Sequence, residues 1–123
     1  MTAPDSKKSP TGYKKGLLAE TRGALFLRLK GYRILETRFR TRFGEIDIVA
    51  LKGNTVVFVE VKQRRTADAA AEAIHAKNQS RVADAALLYL QKHPEYSELD
   101  ARFDALLLGR AGMIHHLENA WAL

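Results

Sequence analysis

The sequence predicts an α/β fold, a mixed β-sheet flanked by helices in the order α-β-β-β-α-β with a possible last short strand. Three observations carry that expectation. Two runs rich in β-branched residues, 45–51 and 55–62, sit either side of Gly53–Asn54. A helical apolar period precedes them and another follows. A further apolar run, 102–108, then returns near the end of the chain.

Taken in order, residues 13–30 place Leu17, Leu18, Ala24, Leu25, Leu27 and Leu29 at spacings compatible with an amphipathic helix, and Gly31 supplies its stop. Residues 32–40 read as extended. Tyr32, Ile34 and Leu35 lead into Thr37, Phe39 and Thr41, which alternate with Arg38, Arg40 and Arg42. The two β-branched runs follow as a hairpin, because Gly53–Asn54 is a two-residue turn signal. Over residues 68–91, Ala69, Ala73, Ile74, Val82, Ala85, Ala86, Leu88 and Tyr89 fit a long helix that ends before Pro94. Residues 102–108 are the next strand, and 112–117 are a last short one reached by a turn through Gly109 and Gly112. Residues 1–12 mix Pro, Ser, Thr and Lys without an apolar signal core and read as a flexible tail, leaving 13–123 as a single domain.

The bulk numbers narrow the class of function. With 46% hydrophobic and 28% charged residues the chain can bury a core, so wholesale disorder is not expected. The absence of cysteine excludes disulfides, iron–sulfur clusters and thiolate zinc sites, and suits a cytoplasmic location. No apolar run approaches the roughly 20 residues that span a bilayer. A net charge of +6 favours a polyanionic partner, of which nucleic acid is the commonest.

Register turns the hairpin into chemistry. With a two-residue turn at Gly53–Asn54, Val49 faces Phe58, Asp47 faces Glu60 and Glu45 faces Lys62. Directly opposed residues share a side of the sheet, so these four polar groups form one patch. The other side carries Ile46, Ile48, Ala50, Val57, Val59 and Val61. Two carboxylates facing one another repel, and desolvation adds to the cost. A hard divalent cation such as Mg²⁺ or Mn²⁺ removes it, since such ions take one or two carboxylates, waters and phosphate oxygens. Lys62 then stands where an ammonium can orient water or stabilise developing charge.

Asp47, a short hairpin and Glu60–Val61–Lys62 resemble the PD-(D/E)xK nuclease superfamily. More closely, Gly44–Glu45–Ile46–Asp47 followed by Phe58–Val59–Glu60–Val61–Lys62 is similar to the uncharacterised YraN-like bacterial family of endonuclease-like proteins. The similarity runs from about residue 16 to 121. It takes in Ala19–Glu20, Gly31–Tyr32, Lys77, Arg81 and Arg102–Phe103–Asp104. The resemblance implies a restriction-endonuclease-like sheet and a Mg²⁺- or Mn²⁺-dependent endonuclease that hydrolyses phosphodiester bonds, of DNA ahead of RNA, in repair or recombination. It implies Asp47 and Glu60 as metal carboxylates, Lys62 as the catalytic lysine, the Val61 carbonyl as a further ligand, and Glu20 as the helix glutamate that approaches the metal. Ile46 stands where the superfamily has a proline before its first aspartate.

Competing readings stay open at this point. Asp47, Glu60 and Lys62 could be a cross-strand salt-bridge cluster on a wet face, against which Val49 and Phe58 on the same side weigh. Glu45 could pair with Lys62 and tune it. Arg38, Arg40 and Arg42, sharing a strand face, could track a phosphate backbone or simply guard an exposed edge. Gln63, Arg64 and Arg65 continue the strand towards the scissile phosphate, while Lys77 and Arg81 share a helical stripe. His115 and His116, adjacent on a strand, cannot both face one metal; His75 and His93 are isolated, so zinc is not expected. Trp121 is expected to cap the core. The rival functions are a nucleic-acid-binding module of the same fold that does not cut, and a protein-interaction domain with a basic surface.

Overall fold

The computed structural model describes residues 10–63 and 76–121, and of residues 10–15 and 76–78 the backbone alone. Helix α1 is Pro10–Leu29, and strands β1 (Arg33–Arg40), β2 (Glu45–Lys52) and β3 (Thr55–Gln63) follow. Helix α2 (Ala76–Lys92) leads to β4 (Asp100–Leu108) and β5 (Ile114–Trp121). The five strands lie in sequence order in one sheet. Only β3 and β4 are parallel; the other neighbours are antiparallel. A parallel pair needs a crossover, and α2 lies within it.

The expected order of elements is the observed one, and some of the bounds differ. Helix α1 begins at Pro10, inside the stretch expected as a tail. The first part of the expected second helix, with Ala69, Ala73 and Ile74, lies outside the described residues. The last strand runs to Trp121 rather than stopping at residue 117. Trp121 is buried and stacks on Phe103 at 5.5 Å, capping the core as expected.

The helices cover opposite faces of the sheet. Val82, Ala85, Ala86 and Tyr89 of α2 pack on Phe39, Val49, Phe58 and Phe103. Ala19, Ala24 and Leu27 of α1 pack on Ile48, Ala50, Val57, Val59 and Leu106. Burial of this apolar area from water supplies the main driving force for the sandwich.

Helix α1 corrects the amphipathic reading. Three of its leucines lie outside the core: Leu18, Leu25 and Leu29 are 60%, 54% and 80% exposed. The face against the sheet is Ala19, Gly23, Ala24 and Leu27. Small residues let the helix axis approach closely. A Cβ on Gly23 would lie 3.1 Å from Leu106 Cδ1 and 3.4 Å from Val61 Cγ2. Among the described residues no helix is long and apolar enough to cross a membrane.

The two faces of α1 should respond oppositely to substitution. Gly23→Leu is expected to overpack the helix–sheet contact and cost about 1–3 kcal/mol. Leu25→Gln, on the exposed face, should stay within about 0.5 kcal/mol of the parent. Urea unfolding of both chains checks this, and equal losses would refute the assignment of faces.

Candidate functional site

The hairpin register comes first. Gly53 adopts φ +59, which a tight turn needs and glycine supplies without strain. The antiparallel ladder then runs from Lys52↔Thr55 through Val49↔Phe58 to Ile48↔Val59. Continued, it would set Asp47 opposite Glu60 and join Ile46 to Val61 by backbone hydrogen bonds. It stops short of both. Val61 N–H donates instead to Asp47 Oδ2 at 2.8 Å, so a side chain replaces a strand.

The cause lies in β1 and β2 together. Arg38, the residue between the pairs Thr37↔Ile48 and Phe39↔Ile46, has φ +55, a left-handed conformation unfavourable for a side chain with a Cβ. Beyond this point side-chain alternation is broken. Ile48 lies in the core under α1, yet Ile46 packs with Phe39 in the core under α2. This corrects the expectation that Ile46 and Ile48 share a face. The strands thus part at their ends, and the gap is polar.

A cleft of about 220 Å³ fills that gap, lined by Gly44, Glu45, Asp47, Glu60, Lys62, Arg81 and Val82. Glu60 is on the α2 side with Phe58, as strand alternation requires, and is only 9% exposed. Its Oε1 is buried with no hydrogen-bond partner, while Oε2 lies 3.4 Å from Lys62 Nζ. Among the described residues only Trp121 Nε1 is similarly orphaned, and a neutral N–H costs less than a carboxylate oxygen. Burial raises the Asp47 pKa from the ordinary 3.8 to about 7, the Val61 N–H opposes this, and the charges of Glu20, Glu60 and Glu45 add to it. Two acids are therefore held where neither is adequately compensated by protein.

This donor set fits a hard divalent cation. Of the three carboxylates that line the cleft, Asp47 and Glu60 are the pair suited to it, Glu60 with an unused buried oxygen. The Val61 carbonyl projects to the same edge as its N–H, as in any strand, and so towards the gap beside Asp47. Among the described residues no group of three His, Cys, Asp or Glu side chains gathers to ligate a metal. An ion held here would keep most of its shell for water or phosphate, as Mg²⁺ commonly does.

Glu45 does not face Lys62. It lines the cleft but pairs with Arg40 at 3.1 Å and Arg38 at 3.7 Å, because Arg40↔Glu45 is the β1–β2 register. Glu20 lies in a neighbouring depression on the α1 side with Thr37 and Arg38, and is bonded to Arg38 at 3.2 Å. Burial raises its pKa, which Arg38 partly offsets. The three arginines do not form one strand stripe: Arg38 sits at the irregularity, Arg40 is the last residue of β1, and Arg42 lies in the turn. Arg81 lines the cleft, and Gln63 ends β3 exposed. Arg64, Arg65 and the Lys77 side chain lie outside the described residues.

A second buried acid was not singled out for its chemistry. Asp104 is fully buried and accepts from Arg102 Nε and Nη2, both at 2.8 Å, from His116 Nε2 at 2.8 Å and from Asn119 N–H at 2.9 Å. Burial alone would raise its pKa; these donors hold it below the ordinary value. His116 Nδ1 lies 2.6 Å from Lys30 Nζ, so the cation donates there and Nε2 carries the proton to Asp104. The signal was an aspartate inside the otherwise apolar run after Arg102. Every oxygen of Asp104 is used, which marks a structural tie.

Residues 19–108 match the family described as Uncharacterised protein family UPF0102. A UPF0102 protein of Rhodopseudomonas palustris (strain BisA53) is 48% identical over 118 residues, covering 96% of this chain and 91% of the relative. One from Bradyrhizobium sp. BTAi1 is 46% identical, covering 96% and 87%. One from Azorhizobium caulinodans is 43% identical, covering 98% and 92%.

The raised Asp47 pKa makes a stability prediction with a definite sign. Folded, this carboxyl keeps a proton up to about pH 7; unfolded, it releases it near 3.8. The penalty therefore grows as pH rises through that window and is constant above it. Asp47→Asn is expected to raise the melting temperature more at pH 8 than at pH 5, measured without divalent metal. An equal effect at both would contradict the buried-acid picture.

Proposed function

The chain belongs to the uncharacterised protein family UPF0102, and from that membership and the cleft we propose that it is a metal-dependent nuclease, cutting phosphodiester bonds of nucleic acid. The observation that carries this reading is the buried, unpartnered Glu60 Oε1 beside Asp47 and Lys62 in one cleft. A protein that needed only to fold would gain by replacing those acids, since an unsatisfied buried carboxylate destabilises it.

Asp47 and Glu60, with the Val61 carbonyl, would hold Mg²⁺ or Mn²⁺. Such an ion, when bound, offsets the acids' repulsion, lowers the pKa of coordinated water and withdraws charge from a phosphate. The remaining work falls to the chain. The Val61 N–H fixes the Asp47 carboxylate in place before any ligand arrives. Glu60 anchors Lys62 through its other oxygen, so the ammonium is presented to the cleft rather than dispersed in solvent. There Lys62 donates to a water or to a phosphate oxygen as negative charge grows on it. Water oxygen adds to phosphorus and one P–O ester bond breaks, leaving a phosphomonoester and a hydroxyl end. Arg81, at the cleft wall, and Arg42, in the turn before Gly44, supply positive charge for the flanking phosphates.

A second reading, the same fold binding nucleic acid without cutting it, rests on the small ligand set: among the described residues no group of three His, Cys, Asp or Glu is placed to hold a metal, and Glu45 on the cleft wall is paired with Arg38 and Arg40.

Incubation with supercoiled plasmid and branched DNA separates the readings. Nicking is expected with Mg²⁺ or Mn²⁺ and not with EDTA. Asp47→Ala and Glu60→Ala should each lower the rate at least about a hundredfold while DNA binding persists, the scale of losing a preorganised charge contact. Lys62→Ala should lower the rate without weakening Mn²⁺ binding. Metal-independent binding with no cleavage of any DNA or RNA would favour the second reading.

A further inference from the structure

The turn between β1 and β2 carries a feature that cutting alone does not use. Phe43 is 38% exposed, while Phe39, Phe58, Phe103, Tyr32, Tyr89 and Trp121 are buried. The Arg42 guanidinium carbon lies 5.0 Å from the Phe43 ring centroid, in cation–π range. An exposed aromatic under a planar cation contributes little to the fold. It does offer a π surface to a ligand.

The turn is rigid and is fixed beside the cleft. Thr41 N–H donates to Gly44 O at 2.9 Å, and the Thr41 hydroxyl also donates to that oxygen at 2.9 Å. The same hydroxyl oxygen accepts the N–H groups of Phe43 and Gly44 at 3.0 and 3.1 Å. Gly44 lines the cleft and lies so close to α2 that a Cβ there would be 3.2 Å from Arg81 Cβ. Phe43 is thus held one residue from the wall behind Asp47 and Glu60, and a base resting on it belongs to a nucleotide adjoining the cleft.

We propose that Arg42 and Phe43 form a stacking platform for an unpaired base, so that the cleft serves nucleic acid carrying a single-stranded or splayed segment beside the phosphate it addresses. The inference rests on the nuclease reading and adds the substrate's form. Within continuous duplex each base is covered by its neighbours, and no face is free to stack on protein. At a fork, a gap or a single strand the face is free. Stacking on an aromatic or guanidinium plane is then tolerant of sequence.

Fluorescence anisotropy of the full chain in EDTA, where no cutting is expected, tests this with three labelled probes: a single-stranded 20-mer, a splayed fork and a blunt duplex. Phe43→Ala is expected to weaken binding to the first two about tenfold, the scale of one lost base stack, and to the duplex less than about twofold. Phe43→Trp should retain the preference, and the melting temperature of both variants should match the parent. Equal loss on all three probes, or no loss, overturns the platform and leaves the nuclease reading standing. If the parent chain binds none of the three, the nuclease reading falls and the platform with it.

Discussion

The hydrogen bond from Val61 N–H to the Asp47 carboxylate is the contact on which the rest of the cleft depends. In a regular hairpin Val61 would bond with Ile46, the strands would stay zipped and no cavity would exist. Because Asp47 takes the amide, Ile46 is free to pack with Phe39 under α2, and Glu45 is free to meet the β1 arginines. Glu60, one residue before Val61, is left at the edge of the resulting gap. One side chain thus converts the end of a sheet into a polar cleft while satisfying the amide that the break would otherwise orphan.

The sheet holds acids in two contrasting ways. Asp104 is surrounded by donors, and its ionised form is favoured by every contact around it. It ties β4 to β5, and through Arg102 Nη2, which donates to the Tyr32 hydroxyl at 2.7 Å, to the start of β1. Glu60 is buried with one oxygen unpartnered, and Asp47, half-buried beside it with the Val61 N–H as donor, has further acids nearby. A fold able to satisfy Asp104 fully has left an oxygen of Glu60 without a partner. The shortage sits where strand ends diverge, where a turn carries an arginine over an exposed phenylalanine, and where Arg81 approaches from α2.

Much of this could be read from the sequence because one local rule governs a long stretch. A two-residue turn at Gly53–Asn54 determines which residues face each other for five pairs, as far as Ile48↔Val59, and that placed Asp47, Glu60 and Lys62 near one another. The rule fails where tertiary contacts outweigh strand alternation. The left-handed backbone at Arg38 and the inward turn of Ile46 leave no mark in a pattern of apolar and polar letters, and neither does the pairing of Glu45 with Arg38 and Arg40 in place of Lys62. Helix α1 failed for a different reason. Periodicity counts leucines as core, whereas here close approach selected Ala19, Gly23 and Ala24 and left three leucines outward. The structural role of His116 leaves no local signal because its partners, Asp104 and Lys30, are distant in sequence.

Anomalous diffraction from crystals soaked in Mn²⁺ tests the central claim most directly. A single strong peak is expected in the cleft, within coordinating distance of Asp47 and of the Glu60 oxygen that has no protein partner. A cleft that stays empty of metal at millimolar Mn²⁺, with that oxygen instead hydrogen-bonded to a protein donor, would contradict it.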